Sequence, residues 1–280
     1  MKLVVKIGGT SGVESERVLE DISNLSRLGG EIVIVHGGSD AANNLGHALG
    51  HPPRKMFSKQ GVESRYTDQR SMEIVTMALN GKVKPELVNQ LLSRNVNAVG
   101  LCAADANMVL AVRKAQLKAK IGGRLQLVRD DCSGRITSVD TRFLTSILSL
   151  GVTPVLSPPA RDPNFGPVNV DADRLAAKVA VALGAQRLVF VSDVAGLLRD
   201  ATDPLSVIGN VGLEEIDWAM ALAKGRMKQK IMAVKDALAG GVPFVHIANG
   251  RADAPITNAV DGDGTLFGSV QVSKRKVAAK

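Results

Sequence analysis

Two lysines, an aspartate and four glycines in this 280-residue chain have the types and spacing needed to handle phosphate. Lys6 closes an apolar β-like run, Leu3 to Ile7, directly before Gly8-Gly9, and His36-Gly37-Gly38-Ser39 repeats the arrangement after Ile32 to Val35. Backbone N–H groups at such strand ends are where parallel α/β sheets receive anionic ligands. A transferring phosphoryl group spreads negative charge over its equatorial oxygens. A fixed ammonium with glycine N–H donors therefore stabilises it more in the transition state than in the ground state. A lone lysine at a strand end is more often a snorkelling edge residue; the second glycine loop strengthens the phosphate assignment, because two such loops can face each other. His36 itself reads as a hydrogen-bonded strand-end residue rather than a base.

Three further segments belong with these. Ser192-Asp193-Val194-Ala195-Gly196 follows the apolar run Leu188 to Val191. Asn169-Val170-Asp171-Ala172-Asp173 precedes a helical pattern, so Asp171 or Asn169 can cap it, and Asp173 falls in the first turn, able to hold cationic side chains. Gly225-Arg226-Met227-Lys228-Gln229-Lys230 opens another helix with lysines that oppose the macrodipole, a placement compensated by an anionic ligand or by solvation. The GxxxxGK[ST] signature is absent, and Gly262-Asp263-Gly264 does not open a βαβ unit, so Walker and Rossmann sites lose support. Cys102 and Cys132 lack CxxC spacing and a nearby His/Cys set, which predicts two reduced thiols and no metal centre.

The elements that position these residues alternate: strand Leu3–Ile7, helix near Glu14–Arg27, strand Ile32–Val35, helix near Ala41–Leu49, a Pro-containing stretch, then helices Ser71–Leu79 and Lys84–Arg94. Short strands at Asn97–Leu101, Val109–Val112, Gly123–Val128 and Gly134–Val139 form an antiparallel excursion, before helix Thr141–Leu150 and strand Thr153–Leu156 resume the pattern. Helix Ala172–Leu183, strand Leu188–Ser192, helical Leu213–Ala223, helix Met227–Ala239 and strand Phe244–Ile247 follow. The order predicts an α/β fold with a largely parallel sheet covered on both faces. Pro158-Pro159 through Gly166-Pro167 reads as a linker, which sets a lobe boundary between residues 1–163 and 164–280.

The net charge is +8, yet aromatic residues make up only 3%, with one Trp and one Tyr to stack on bases. An anionic small molecule or an acidic protein therefore explains the charge better than nucleic acid. Basic residues concentrate at Arg54, Lys55 and Lys59 and again from Arg113 and Lys114 through Lys118, Lys120, Arg124 and Arg129 to Arg135, while Lys274 to Lys280 read as a frayed tail. No apolar run approaches the roughly 18 residues of a membrane span, and the start lacks a signal-peptide h-region, so a cytoplasmic protein is expected.

KIGG at Lys6–Gly9, HGGS at His36–Ser39, SRYTD at Ser64–Asp68, NVDAD at Asn169–Asp173, SDVAG at Ser192–Gly196 and GRMKQK at Gly225–Lys230 occur in the order seen in the amino acid kinase superfamily. The chain resembles its acetylglutamate kinase group. It most resembles the branch that phosphorylates 2-aminoadipate or glutamate attached to LysW, a small acidic amino-group carrier protein, with Gly50-His51-Pro52-Pro53-Arg54 adding to the likeness. The resemblance implies a three-layer αβα sandwich with an N-terminal acceptor lobe, a C-terminal nucleotide lobe, and the use of ATP and Mg2+. It assigns Lys6 and Lys230 to the phosphoryl group, Asp173 to orienting them, and Gly8, Gly9, Gly37 and Gly38 to phosphate contacts. Arg65 and Asn169 would hold the acceptor α-carboxylate; Asp193, Gly196, Gly225 and Met227 would line the nucleotide site, and the basic acceptor-lobe residues would meet the carrier. Ser39, Asp171 and Arg226 depart from the usual acetylglutamate kinase residues and weaken the free N-acetylglutamate alternative. A non-catalytic nucleotide-binding module is disfavoured because Lys6, Asp173 and Lys230 are all present. The start close to the first strand matches an expectation of a homodimer without arginine feedback.

Overall fold

The computed structural model describes residues 1–9, 13, 15–58, 61 and 63–268; Glu14, Lys59 and the basic tail from Lys274 to Lys280 lie outside the described residues. The chain runs β1 (Lys2–Ile7), α1 (Ser15–Arg27), β2 (Glu31–His36), α2 (Ser39–Ala48), β3 (Arg54–Phe57), β4 (Glu63–Tyr66), α3 (Gln69–Ala78), α4 (Lys84–Leu92), β5 (Ala98–Cys102), β6 (Val109–Arg113), β7 (Leu117–Ile121), β8 (Arg124–Val128) and β9 (Gly134–Val139). It continues through α5 (Arg142–Ser149), β10 (Thr153–Ser157), β11 (Ala160–Asp162), β12 (Gly166–Val168), α6 (Ala172–Leu183), β13 (Arg187–Ser192), β14 (Asn210–Val211), α7 (Ile216–Leu222), α8 (Gly225–Ala239), β15 (Phe244–Asn249), α9 (Pro255–Asp261) and β16 (Thr265–Gly268).

Side-chain alternation along the central strands sets the layers. Leu3, Val5 and Ile7 of β1, with Ile32 and Ile34 of β2 and Val189 and Val191 of β13, pack against Val18, Leu19 and Ile22 of α1, Leu87 and Leu91 of α4, and Ile256 of α9. Val4, Val33, Val35, Leu188 and Phe190 face the other way, onto Leu175, Ala176 and Val179 of α6 and Ile231 and Val234 of α8. Lys6 has the parity of Val4, so it enters the α6/α8 side. Near-continuous apolar strands are what a sheet covered on both faces requires.

Among the described residues eight strands form this sheet, in the order β14-β16-β15-β13-β1-β2-β10-β5, and β16 alone runs antiparallel to a neighbour, β15. The expected mainly parallel αβα sandwich is present. From β1 and β2 the chain first lays down the edge strand β5, then inserts β10 between β2 and β5, and finally returns to place β13 on the other side of β1. The loops after β1, β2 and β13 thus emerge side by side at the strand order reversal, where open α/β sheets bind ligands.

Two outer four-stranded sheets, β12-β11-β6-β9 and β4-β3-β7-β8, contain the antiparallel excursion. The stretch expected to be a linker instead forms the β11/β12 hairpin, with Ala160 opposite Val168 and Asp162 opposite Gly166. Pro167 is accommodated because β12 is an edge strand, where a missing N–H leaves no ladder bond unmade. The Pro-containing stretch after α2 likewise leads into the β3/β4 hairpin, and β7, β14, α9 and β16 are elements that periodicity did not reveal.

Candidate active site

The α6 N-terminus begins with Asp171, whose side chain accepts from Arg174 N and so caps the helix. This settles the capping alternative in favour of Asp171 and leaves Asp173, one step into the first turn, free to point at the sheet. Lys6 Nζ lies 2.7 Å from Asp173 Oδ1, and Lys230 Nζ, from the second turn of α8, lies 3.1 Å from Asp173 Oδ2. All three side chains are buried. Lys230 Nζ also sits 5.0 Å from the centroid of Phe190, the residue paired with Lys6 across β1 and β13. The helix-dipole conflict at Lys230 is therefore relieved inside the protein, by a carboxylate and an aromatic face.

Burial by itself raises the Asp173 carboxyl, but Lys230 and Lys6 outweigh it and hold the group well below the usual carboxylate range. Burial pushes the Lys230 ammonium below its ordinary value, with Asp173 opposing that shift. Two ammoniums contact the one carboxylate of Asp173, while burial and Asp173 push the neighbouring Asp171 carboxyl above its usual range; lysines held in this low-dielectric setting attract an incoming phosphate strongly.

The two glycine loops meet beside this cluster. A Cβ on Gly9 would lie 2.1 Å from Gly38 N, and one on Gly37 would lie 2.9 Å from Gly9 N, so both positions exclude any side chain. Of the four glycine N–H groups expected to contact phosphate, two are already engaged. Gly8 N donates to Val191 O at 3.2 Å and Gly37 N donates to Ile7 O at 3.0 Å, extending the parallel ladders by one residue. Gly9 N and Gly38 N have no hydrogen-bond partner among the described residues, which narrows the expected donor set to these two. Gly38 is also the N-cap of α2, so its N–H opens toward the positive end of that helix. A cavity of about 250 Å³ opens at the loops, lined by Gly8, Gly9, His36, Gly38, Glu86 and Gln90 among others.

His36 is buried, its Nδ1 2.7 Å from Gly37 O; burial lowers its pKa to about 4, so it stays neutral and donates that N–H to the carbonyl. That agrees with a strand-end structural role.

On the acceptor side, Arg65 Nη2 donates to Ser39 O at 3.2 Å and to Asn43 Oδ1 at 2.5 Å, which turns the guanidinium toward the N-terminus of α2. Burial lowers the Arg65 pKa. Asn169 Nδ2 donates to Thr67 Oγ1 at 3.1 Å, and Gln229 of α8 donates to the Glu63 carbonyl of β4, so the β3/β4 hairpin lies over the site. Asn43 and Thr67, which orient Arg65 and Asn169, were not apparent in the sequence; the one local signal for Asn43 is its spacing four residues after Ser39 on the same helical face.

Asp193 and Gly196 lie in the loop after β13, and Gly225 begins α8. Gly196 has a structural requirement of its own, because a Cβ there would lie 2.6 Å from Thr265 Oγ1, which accepts from Leu197 N. Gly225 adopts φ +52° as α8 begins, and Met227 packs against the α6/α8 core.

The basic residues sort into different roles. Arg54 donates to Asp68 and lies 4.2 Å over the Tyr66 ring. Arg113 donates to the carbonyls of Asp131 and Arg129 and covers Phe165. Both guanidiniums are therefore occupied in holding the outer sheets together. Cys102 and Cys132 are free thiols, and burial raises both pKa values.

The amino acid kinase family model matches residues 1–249. The chain is 38% identical over 266 residues to the LysW-aminoadipate kinase of Thermus thermophilus, covering 94% of this chain and 99% of that protein. It is 35% identical over 257 residues to the acetylglutamate kinase of Alkaliphilus metalliredigens, covering 89% of this chain and 75% of that one. The structure of Giardia carbamate kinase has the same fold, with a TM-score of 0.69 at 14% identity and coverage of 96% of this chain and 99% of that one. A buried Lys-Asp-Lys cluster beside two touching glycine loops, on a chain matched over most of its length, identifies this protein as a member of the amino acid kinase family.

Proposed function

We propose that this chain transfers the γ-phosphoryl group of ATP to the distal carboxylate of 2-aminoadipate or glutamate carried by the small acidic protein LysW, in lysine or arginine biosynthesis. The observation that carries the proposal is the Lys6-Asp173-Lys230 cluster, set beside the unengaged N–H groups of Gly9 and Gly38. The likeness to the Thermus LysW-aminoadipate kinase across nearly both full lengths supports the substrate class.

ATP supplies the phosphoryl group: a carboxylate oxygen attacks the γ-phosphorus, the bond to the β-phosphate oxygen breaks, and an acyl phosphate and ADP result. Lys6 and Lys230 balance charge on the transferring group, and Asp173 holds both ammoniums in place through its two oxygens. Gly9 N and Gly38 N supply fixed donors that need no reorganisation. Arg65 and Asn169 position the acceptor α-carboxylate, the guanidinium through its planar fork. Asp193, Gly196, Gly225 and Met227 line the nucleotide side. Asp173 is committed to two lysines, and among the described residues there is no group of three or more His, Cys, Asp or Glu side chains fit to hold a metal. Mg2+ therefore fits best as the ATP complex, held chiefly by phosphate oxygens.

The same cluster suits N-acetylglutamate kinase activity, which the Alkaliphilus relative favours as the second reading. Hydroxamate trapping of the acyl phosphate, with ATP and Mg2+ and with carrier-aminoadipate, carrier-glutamate and free N-acetylglutamate in parallel, separates the two. Higher kcat/KM on either carrier-linked acceptor supports the proposal, and preference for N-acetylglutamate overturns it. Among the described residues no helix is long and apolar enough to cross a membrane. A cytoplasmic homodimer is the expected setting, which light scattering and cell fractionation check.

A further inference from the structure

Asp131 lies in the turn between β8 and β9 and is fully buried, yet among the described residues its carboxylate makes no ion pair with lysine or arginine. A carboxylate taken out of water needs other partners, and three donors converge on this one. Thr67 N donates to Oδ1 at 2.8 Å, and Ser133 donates to Oδ2 through its N–H, at 3.0 Å, and through its hydroxyl. The Ser133 bonds are local. The bond to Thr67 spans 64 residues and ties the β8/β9 turn to the turn between β4 and α3.

The residues after Asp131 carry this connection on to the proposed acceptor site. Cys132 N donates to Thr67 O at 2.6 Å, so Thr67 is gripped by both its N–H and its carbonyl. Cys132 O accepts from Asn169 N at 2.9 Å and Gly134 N donates to Asn169 O at 2.8 Å, so the same turn grips Asn169 as well. The buried Thr67 then joins the two acceptor residues. Its hydroxyl accepts from Asn169 Nδ2 at 3.1 Å and donates to Arg65 O at 3.3 Å. One of the two Asn169 amide hydrogens is thereby committed, which fixes the plane of the amide. Arg65 and Asn169 stay partly exposed, as groups that meet a substrate must, whereas Thr67 and Asp131 are sealed off from it.

We propose that Asp131 is a positioning residue for the acceptor α-carboxylate, acting through Thr67 to set the amide of Asn169 and the backbone that carries Arg65. This rests on the proposed roles of Arg65 and Asn169 and adds the relay that holds them. The side chain must be a carboxylate because all three converging groups are donors. An asparagine would turn its own NH2 on either the Thr67 N–H or the Ser133 N–H. Lys6, Asp173 and Lys230 take no part in this relay, so a fault in it is read in acceptor binding rather than in phosphoryl transfer.

The test traps acyl phosphate as hydroxamate with wild type, Asp131→Asn, Thr67→Val and the double variant. Two acceptors are compared: carrier-linked aminoadipate, and the same carrier bearing 5-aminopentanoate, which lacks the α-carboxylate. Each single variant is expected to raise the KM for carrier-aminoadipate about tenfold, with kcat and the KM for ATP within about twofold. The double variant is expected to be no worse than the poorer single one, because both act on one link. On the analogue all four proteins are expected to share one KM, which a general loosening of the fold would not leave equal. Circular dichroism and thermal midpoints check folding; if Asp131→Asn does not fold, Thr67→Val on the two acceptors decides. A wild type that distinguishes the acceptors, with variants that keep its KM or are impaired equally on both, overturns the relay while the function stands. A wild type that treats the two acceptors alike removes the α-carboxylate roles of Arg65 and Asn169, and the relay falls with them. If the wild type prefers N-acetylglutamate, the carrier reading falls, and N-acetylglutamate against N-acetyl-4-aminobutanoate decides the relay by the same comparison.

Discussion

Replacing Asp173 by asparagine keeps the shape of the cluster and removes the carboxylate that both lysines contact. In the structure that anion contacts two buried ammoniums, at 2.7 and 3.1 Å. Each attraction is worth roughly 4 kcal/mol at 4 Å with an effective dielectric near 20. Removing the charge forfeits both, and recovers the several kcal/mol that desolvating a carboxylate costs. The net expectation is a loss of about 3–5 kcal/mol, typical of breaking a buried pair by deleting one partner. Because Asp173 is what opposes the burial-driven lowering of the Lys230 pKa, the variant also moves that pKa further down. Turnover that needs a charged Lys230 then falls off at lower pH than in the wild type, and kcat at neutral pH drops on the order of 10²–10³. Urea unfolding measures the first effect, and kcat against pH in the hydroxamate assay measures the second. A double-mutant cycle adds a check: Lys230→Met is expected to cost less in the Asp173→Asn background than alone. Additive costs, a stability within about 1 kcal/mol of wild type, or an unmoved alkaline limb would refute the reasoning.

Arg65→Lys is expected to raise the acceptor KM and leave ATP binding unchanged, since lysine cannot reproduce a bidentate contact; reduced ATP affinity in steady-state kinetics would move Arg65 to the nucleotide side. Gly9→Ala places a Cβ 2.1 Å from Gly38 N and is expected to abolish activity and lower the thermal midpoint, whereas Gly81→Ala, with nothing within 4 Å of the added atom, is expected to change neither by much. His36 and His246 are buried and both have pKa values lowered to about 4, in each case first by burial. The unfolded chain therefore binds protons on both between about pH 6.5 and 4 while the folded chain does not, and stability declines as pH falls through that window. At pH 5 the loss is on the order of 2 kcal/mol per histidine, and His246→Gln is expected to flatten the dependence of the thermal midpoint on pH; an unchanged slope contradicts it.

Local chemistry in the sequence was enough for the layered α/β order, the glycine loops at two strand ends, the α6 cap region and the two lysines, because each depends on patterns within a few residues. Alternation in β1 already dictated that Lys6 and Val4 share a face. What lies on that face was decided by the crossover that brings α6 and α8 over β1. Asp173 and Lys230 are 57 residues apart in the chain and meet only there. The engagement of Gly8 N and Gly37 N also depends on strand neighbours, since their acceptors sit on β13 and β1. Pro158 to Pro167 reads as a linker along the chain because prolines break periodicity, but an edge position removes that penalty, and edges exist only once a sheet is assembled. The basic residues look alike along the chain. Strand register alone separates Arg54, which stacks on Tyr66, from Lys118 and Lys120, which flank the buried Ala119 and stand exposed on the other side of the sheet, because a pleated strand sends adjacent side chains to opposite sides.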